Sequence, residues 1–289
     1  FDDRNEARYA ADESHLGNHA PASPSNSDFV NIYKLPRQQS TVPRNGRELT
    51  TTATSLRVVD VISRLEGAQM SEIAAELELA NSTVHAHLTT LRNHELVVKE
   101  GNEFHLGIKL FHLGEQARHR KPEYEIVRQH AHRLSNRLNE EVAFAITEHG
   151  RSVIIFDENN DPTKEGFQVG RYFHMHNSAS GKAMLAEWSR ERVEEVLDRW
   201  GLPKETENTI QSRTELYEEL ERTRERGYSL NDQEALEGLM AVGMAITNPD
   251  GSVLGSLDVS GPPYRLSEEQ IASELQETVT QIEREIASR

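Results

Sequence analysis

The chain has 289 residues, with 32 basic and 48 acidic side chains, a net charge of −16 and no cysteine. That length is enough for two domains, and the absence of thiols excludes disulfides and thiolate metal sites, which fits a reducing cytoplasm. No stretch approaches the roughly 18 apolar residues of a membrane helix, and the residues after Phe1 lack the apolar core of a signal peptide.

Residues 1–49 are rich in Ser, Asn, Asp and Pro and are expected to form a disordered leader, with one small apolar cluster at Val30, Ile32, Tyr33 and Leu35. Residues 51–66 read as a helix with Leu56, Val59, Ile62 and Leu65 as its buried stripe, ended by Gly67. Residues 71–91 read as a helix, a tight turn and a second helix. Ser71 is expected to cap the first, in which Ile73, Ala74 and Leu77 recur at helical spacing, and Asn81 or Ser82 to cap the second. Val84, Leu88 and Leu91 fall at i, i+4 and i+7 and make one apolar stripe.

The opposite face of that second helix carries Ser82, Thr83, Ala86, Thr89, Thr90 and Asn93, with His85 on its flank. It is short, polar and uncharged, and side chains of this kind hydrogen-bond phosphates and base edges. An ordinary helical hairpin with a solvated face would look the same. The next residues shift the balance: Leu96, Val97 and Val98 lead to a Gly101-Asn102 turn, and Phe104 and Leu106 then alternate with polar residues as in a hairpin. Helix, helix and hairpin in that order make a winged helix-turn-helix, whose second helix enters the major groove of double-stranded DNA while the wing reaches the backbone. Lys99 and Asn102 are the wing residues placed for that contact.

Residues 107–121 read as a linker helix with a basic end, and Pro122 begins the next helix. Residues 122–289 then alternate helices and strands. Ile126, His130, Leu134 and Leu138 line a helix. Strands are expected at 142–146 and 153–156, joined at Gly150-Arg151, and at 228–230, 241–247 and 252–260, the last two joined by Asn248-Pro249-Asp250-Gly251. Helices are expected at 180–187, 190–200, 214–226 and 267–287, the last capped by Ser267 with Glu269 or Gln270 near the capping-box position. The result is an α+β domain.

Within it, residues 170–186 run as a polar, small-residue loop into a helix, a place where open N–H groups and the helix dipole favour an anion. Ser178 and Ser180 add hydroxyls. A plain capped helix gives the same local pattern. This is no Walker loop, because His176 stands where the first glycine belongs and Ala183 replaces the Ser/Thr. The histidine pairs His130/His132 and His174/His176 come with no His-Glu-x-x-His or acidic cluster, so no metal or cofactor is expected, and no nucleophile elbow points to an enzyme.

Residues 50–289 resemble the IclR-type family of transcriptional regulators. The resemblance rests on Asn81-Ser82-Thr83-Val84-His85, Leu88-Thr89-Thr90-Leu91, Phe104-His105-Leu106-Gly107, the 170–186 loop, Gly238-Leu239-Met240-Ala241-Val242-Gly243-Met244-Ala245-Ile246, and Leu254-Gly255-Ser256-Leu257-Asp258-Val259-Ser260-Gly261-Pro262. It implies a winged helix-turn-helix DNA-binding domain at 50–106, a linker helix at 107–121 that supports dimerisation, and a GAF-like effector-binding domain at 122–289. It also implies a cavity faced by Ser178, Ala179, Ser180, Gly181, Leu239, Ala241, Asp258 and Ser260. The family commonly has an arginine where this chain has Ala86, which leaves more of the DNA contact to Ser82, Thr83, His85 and Thr90. It often has a cysteine at the position of Ala241 and an uncharged residue at that of Asp258. A carboxylate at Asp258 is expected to disfavour a nearby anion and to accept from hydroxyls, as on a sugar or sugar acid.

Charge distribution adds one expectation. Residues 50–121 hold 8 basic and 9 acidic side chains, a net −1, whereas residues 122–289 hold 18 and 32, a net −14. Lysine supplies only 7 of the 32 basic residues. An acidic, lysine-poor chain resembles proteins of salt-in halophiles, in this family pointing to a haloarchaeon. At molar salt the Debye length is about 3 Å and counterion release contributes little, so a near-neutral DNA reader is tolerable. The expected protein is therefore a cytoplasmic, ligand-responsive regulator of a metabolic operon, a homodimer or homotetramer, with operator DNA and a small organic acid or sugar-derived effector as partners. The rival is a metabolite sensor whose helix-turn-helix serves oligomerisation only.

Overall fold

Among the described residues, an apolar stripe free of Gly and Pro forms the first helix, α1, Thr50–Arg64. The computed structural model describes residues 48–159 and 169–289, so the expected leader, with the cluster at Val30, Ile32, Tyr33 and Leu35, lies outside the described residues apart from Glu48 and Leu49. The buried residues of α1 are Val58, Val61 and Ile62, whereas Leu56 and Leu65 of the expected stripe are exposed. A strict three-residue repeat drifts about 60° per step against the 3.6-residue period, so three steps set Leu65 opposite Leu56.

The short strand β1 (Ala68–Gln69) leads straight into α2 (Met70–Leu77). The expected cap Ser71 is already inside the helix. Gln69 holds the cap position, and its backbone N–H donates to the Glu72 carboxylate at 2.6 Å. Helix α3 (Asn81–Asn93) likewise starts one position early: Ala80 is the N-cap residue, Asn81 and Ser82 lie in the first turn, and no side chain caps it. Strands β2 (Val97–Glu100) and β3 (Glu103–Leu106) form the expected hairpin across Gly101-Asn102, and β1 extends it in the order β1-β3-β2. Val58, Ile62, Ile73, Val84, Leu88 and Phe104 belong to the core that binds these pieces together.

Helix α4 (Lys109–Arg118) has no buried residue, and α5 (Pro122–Leu138) starts afresh at its proline. A six-stranded antiparallel sheet follows, in the order β6-β5-β4-β9-β8-β7, from β4 (Glu141–Glu148), β5 (Arg151–Glu158), β6 (Tyr172–Phe173), β7 (Ser229–Asp232), β8 (Met240–Thr247) and β9 (Val253–Gly261). The β4–β5 turn is His149-Gly150, both with positive φ, so Arg151 opens β5 and is not a turn residue. One face of the sheet carries Val142, Phe144, Ile146, Val242, Leu257 and Val259, packed with α5 and the last helix α9 (Glu268–Ala287). Ser267 sits at the N-cap of α9 but its side chain makes no cap bond. Helices α6 (Ala179–Ala186), α7 (Arg190–Trp200) and α8 (Arg213–Arg226) form a separate cluster through Met184, Leu197, Leu216 and Leu220.

Phe144 is fully buried, edge-on to Tyr124 at 5.6 Å and stacked with Phe156 at 6.3 Å. Phe144→Ala is expected to cost about 3–5 kcal/mol, measured as a lower midpoint of denaturant unfolding.

Candidate functional site

Helix α3 divides its residues by the helical period. Val84, Leu88 and Leu91 face the core, and Ser82, Thr83, His85, Ala86, Thr89, Thr90 and Asn93 are exposed. Thr89 Oγ1 donates to the His85 carbonyl at 2.8 Å and Thr90 Oγ1 to the Ala86 carbonyl at 3.0 Å. Each hydroxyl thus has its proton turned inward and its lone pairs outward, which suits it to accept from an approaching N–H. His87, one turn along, is tied to α1 through Ser55 Oγ at 2.8 Å.

Thr89 and Lys99, separate candidates in the sequence, come together here. With Arg92, Asn93, Val97 and Val98 they line an open groove between α3 and the wing. Lys99 also lies over the Phe104 ring, 5.6 Å from its centroid. Asn102 stands apart at the exposed wing turn, and Ser82 and Thr83 occupy the other end of α3, about 10 Å away by helical rise. Arg92 was missed by sequence reasoning. Its signal was its place three residues after Thr89.

The second candidate site lies on the other face of the large sheet. Residues paired in register share a side, so Asp157, Ala143, Asp258 and Gly243 form one row across β5, β4, β9 and β8. Glu141, Ser260 and Ala241 form the next row. The N-terminal turn of α6 lies against this face: a Cβ on Gly243 would come within 2.9 Å of the Ala179 backbone. Ser229 Oγ donates to the Ala179 carbonyl at 2.6 Å, and Ser180 Oγ is 3.1 Å from Ser152 Oγ and hydrogen-bonds the Asp258 carboxyl.

Of the eight sequence candidates, Ala179, Ser180, Ala241, Asp258 and Ser260 meet at this face. Ser178 and Gly181 are spent on the helix cap. Ser178 donates to the His174 carbonyl at 2.9 Å and accepts from the Gly181 N–H at 3.1 Å. Gly181 itself has no room for a side chain, since a Cβ there would lie 2.3 Å from the Met175 carbonyl oxygen. Leu239 is half-buried at the entrance to β8. Asp157 and Glu141 escaped notice. The trace of Asp157 was the acid pair Asp157-Glu158 closing the apolar run 153–156.

Burial pushes the Asp258 carboxyl up to about 8, with Ser180 pulling it down and Glu141 raising it further. Burial, then Glu141 and Asp258, push Asp157 up to about 9. Both therefore hold protons near neutral pH, which corrects the expectation of a charged Asp258 that repels anions. Asp157 Oδ1 and Ser260 Oγ are buried without a hydrogen-bond partner among the described residues.

The loop before α6 is buried as well. Burial, reinforced by Arg151, lowers His174 to about 3, and burial lowers His176 to about 4 against the Pro203 carbonyl, which accepts from its Nε2 at 3.2 Å. Asn177 Nδ2 donates to Glu205 at 2.8 Å, and Lys182 is buried in an ion pair with Glu234. Among the described residues no group of three or more His, Cys, Asp or Glu is placed to hold a metal ion, and no helix is long and apolar enough to cross a membrane.

Two family profiles match this chain. The IclR helix-turn-helix domain covers residues 53–101, and the bacterial transcriptional regulator IclR C-terminal domain covers residues 118–288, more than half of the chain. The chain belongs to the IclR family of transcriptional regulators. The transcriptional repressor IclR of Escherichia coli is 29% identical over 238 residues, covering 80% of this chain and 86% of that protein. A probable HTH-type transcriptional regulator, ArcR, of Halobacterium salinarum is 25% identical over 239 residues, covering 79% of this chain and 89% of that protein. In fold, the chain is similar to an IclR homologue from Microbacterium hydrocarbonoxydans crystallised with 4-hydroxybenzoate, with a TM-score of 0.71 and 20% identity, covering 83% of this chain and 100% of that one.

The perturbed groups set the pH response of this IclR-family domain. His174 and His176 titrate below their ordinary value of about 6.5, so the stability they contribute is full above that pH and is lost as pH falls toward 4 and 3. Asp157 and Asp258 titrate above theirs, so stability declines as pH rises from about 4 through 8 and 9. Thermal melts from pH 4 to 9 should show both limbs. Asp157→Asn with Asp258→Asn should flatten the alkaline limb by more than about 1 kcal/mol.

Proposed function

We propose that this chain is a ligand-responsive regulator that binds operator DNA through residues 50–106 and a small effector through residues 122–289, with residues 107–121 coupling the two. The observation that carries the reading is the face of α3. Seven small or polar residues that take no part in the core lie bare beside a groove holding Arg92 and Lys99. Such a face meets a duplex by hydrogen bonds and shape, the mode suited to the high salt of a halophile's cytoplasm. A helix-turn-helix kept for oligomerisation alone would have no use for it.

The effector side is supported by a polar, small-residue face inside the GAF-like domain and by the ligand-bound homologue of similar fold. Ser180, Asp258 and Ser260 suit a ligand rich in hydroxyls, such as an organic acid or a sugar derivative. The effector acts by differential affinity for two arrangements of paired winged domains in a dimer or tetramer, shifting occupancy of the operator of a metabolic operon.

Footprinting on the DNA upstream of the chain's own gene, in molar KCl and with the full chain, tests the reading. A protected pseudo-palindrome with half-site centres about 34 Å apart, or a multiple, is expected. No protection at any salt would refute it. Thr90→Ala should cost roughly 1–3 kcal/mol of discrimination at one base-pair position, that of an adenine or cytosine amino group facing Thr90, in a binding series over operator variants. Lys99→Ala should instead weaken all sequences alike and reduce the salt slope by about 1.

A further inference from the structure

Three carboxyl residues share the small-residue face of the sheet. Asp157 and Asp258 flank Ala143 in one row, and Glu141 stands in the next row opposite Ser260. The Cα atoms of Asp157 and Asp258 are two strand spacings apart, roughly 9–10 Å, with Ala143 between them; Glu141 hydrogen-bonds Asp157 and Ser180 hydrogen-bonds Asp258. The Ser260 hydroxyl, 1% exposed and on the same face, has no hydrogen-bond partner among the described residues, and neither has Asp157 Oδ1.

We propose that this face takes a small organic ligand carrying a positively charged nitrogen, an ammonium or guanidinium, seated between Asp157 and Asp258 with Ser260 as a hydroxyl acceptor. The inference rests on reading this face as the effector site, and it narrows the ligand there to an organic acid or sugar derivative that also carries a basic nitrogen.

The surroundings favour a cation brought by a ligand over one supplied by the protein. The largest influences after burial are Glu141, Asp258 and Glu158 on Asp157, and Ser180 and Glu141 on Asp258, none of them a lysine or arginine. Glu158 pairs with Arg128 at 3.2 Å and hydrogen-bonds His132 Nδ1 at 3.1 Å, both of α5. Lys182 of α6 is paired with Glu234. Arg151 of β5 donates to the carbonyls of Tyr172 and Phe173 and lies over Trp200. Arg171 lies over Phe173. His174 and His176 stay neutral above pH 4. Without ligand, the two aspartates are kept uncharged by bound protons. A cationic nitrogen replaces one of those protons, which binding releases to solvent, and the site keeps its net charge.

The test uses the full chain and four probes on one four-carbon skeleton: butylammonium, butylguanidinium, 1-butanol and butyrate, followed by ligand-observed NMR with titration. The two cations are expected to bind at least tenfold tighter than the alcohol and the acid. Their affinity should rise between pH 6 and 8, by up to tenfold per pH unit for each proton displaced. Asp157→Asn with Asp258→Asn should erase the preference while the chain keeps a cooperative melt. Butanol or butyrate binding as tightly as the cations, and lost on Ala241→Phe, overturns the charged-nitrogen proposal and leaves the effector site standing. Cation binding abolished by KCl at equal concentration identifies an inorganic-cation site and overturns it too. No binding by any probe overturns the proposal and the site together.

Discussion

Strand alternation is the constraint on which the C-terminal half depends. Along β4, residues 142, 144 and 146 face α5 and α9, and residues 141, 143 and 145 face the other way. A slip of one residue in the pairing of β4 with β9 would drive Asp258 into the apolar core and bring Leu257 or Val259 out of it. The large residues on one side fix the register. The small and polar residues on the other side are thereby held in line, whatever their own contribution to stability. The carboxyl row is a by-product of hydrophobic packing that it does not join.

The N-terminal half applies the same division with a different period. In α3 the 3.6-residue turn separates Val84, Leu88 and Leu91 from the bare face. Both candidate sites are therefore the polar sides of elements anchored by their apolar sides, which gives rigid placement without using functional residues as glue. The exceptions are Ser178 and Gly181, whose polar atoms close the cap of α6. They shape the site by fixing where α6 begins.

Legibility in the sequence followed the range of the interactions. Periodic stripes such as Val84-Leu88-Leu91 and local turns such as Asn248–Gly251 and Gly101-Asn102 were readable, because the residues that decide them are neighbours. The caps were not. Gln69 displaces Ser71 because Ala68 pairs with Phe104, 36 positions away, and that pairing sets where the backbone turns helical. The company of Asp258 was hidden for the same reason. Asp157 lies about a hundred residues earlier, and only the strand between them, β4, brings the two side by side. With no neighbour in view, a lone aspartate reads as a charge, although burial beside other carboxyls makes it an acid.

Helix α4 spans ten residues, buries none of them, and leaves Phe111 64% and the adjacent Ile108 82% exposed. Isolated helices of that length are unstable in water, so its coil state lies close in free energy. Such a segment is a fuse more than a lever: a second surface laid over its aromatic and aliphatic side chains would hold it wound, and loss of that cover would let it melt.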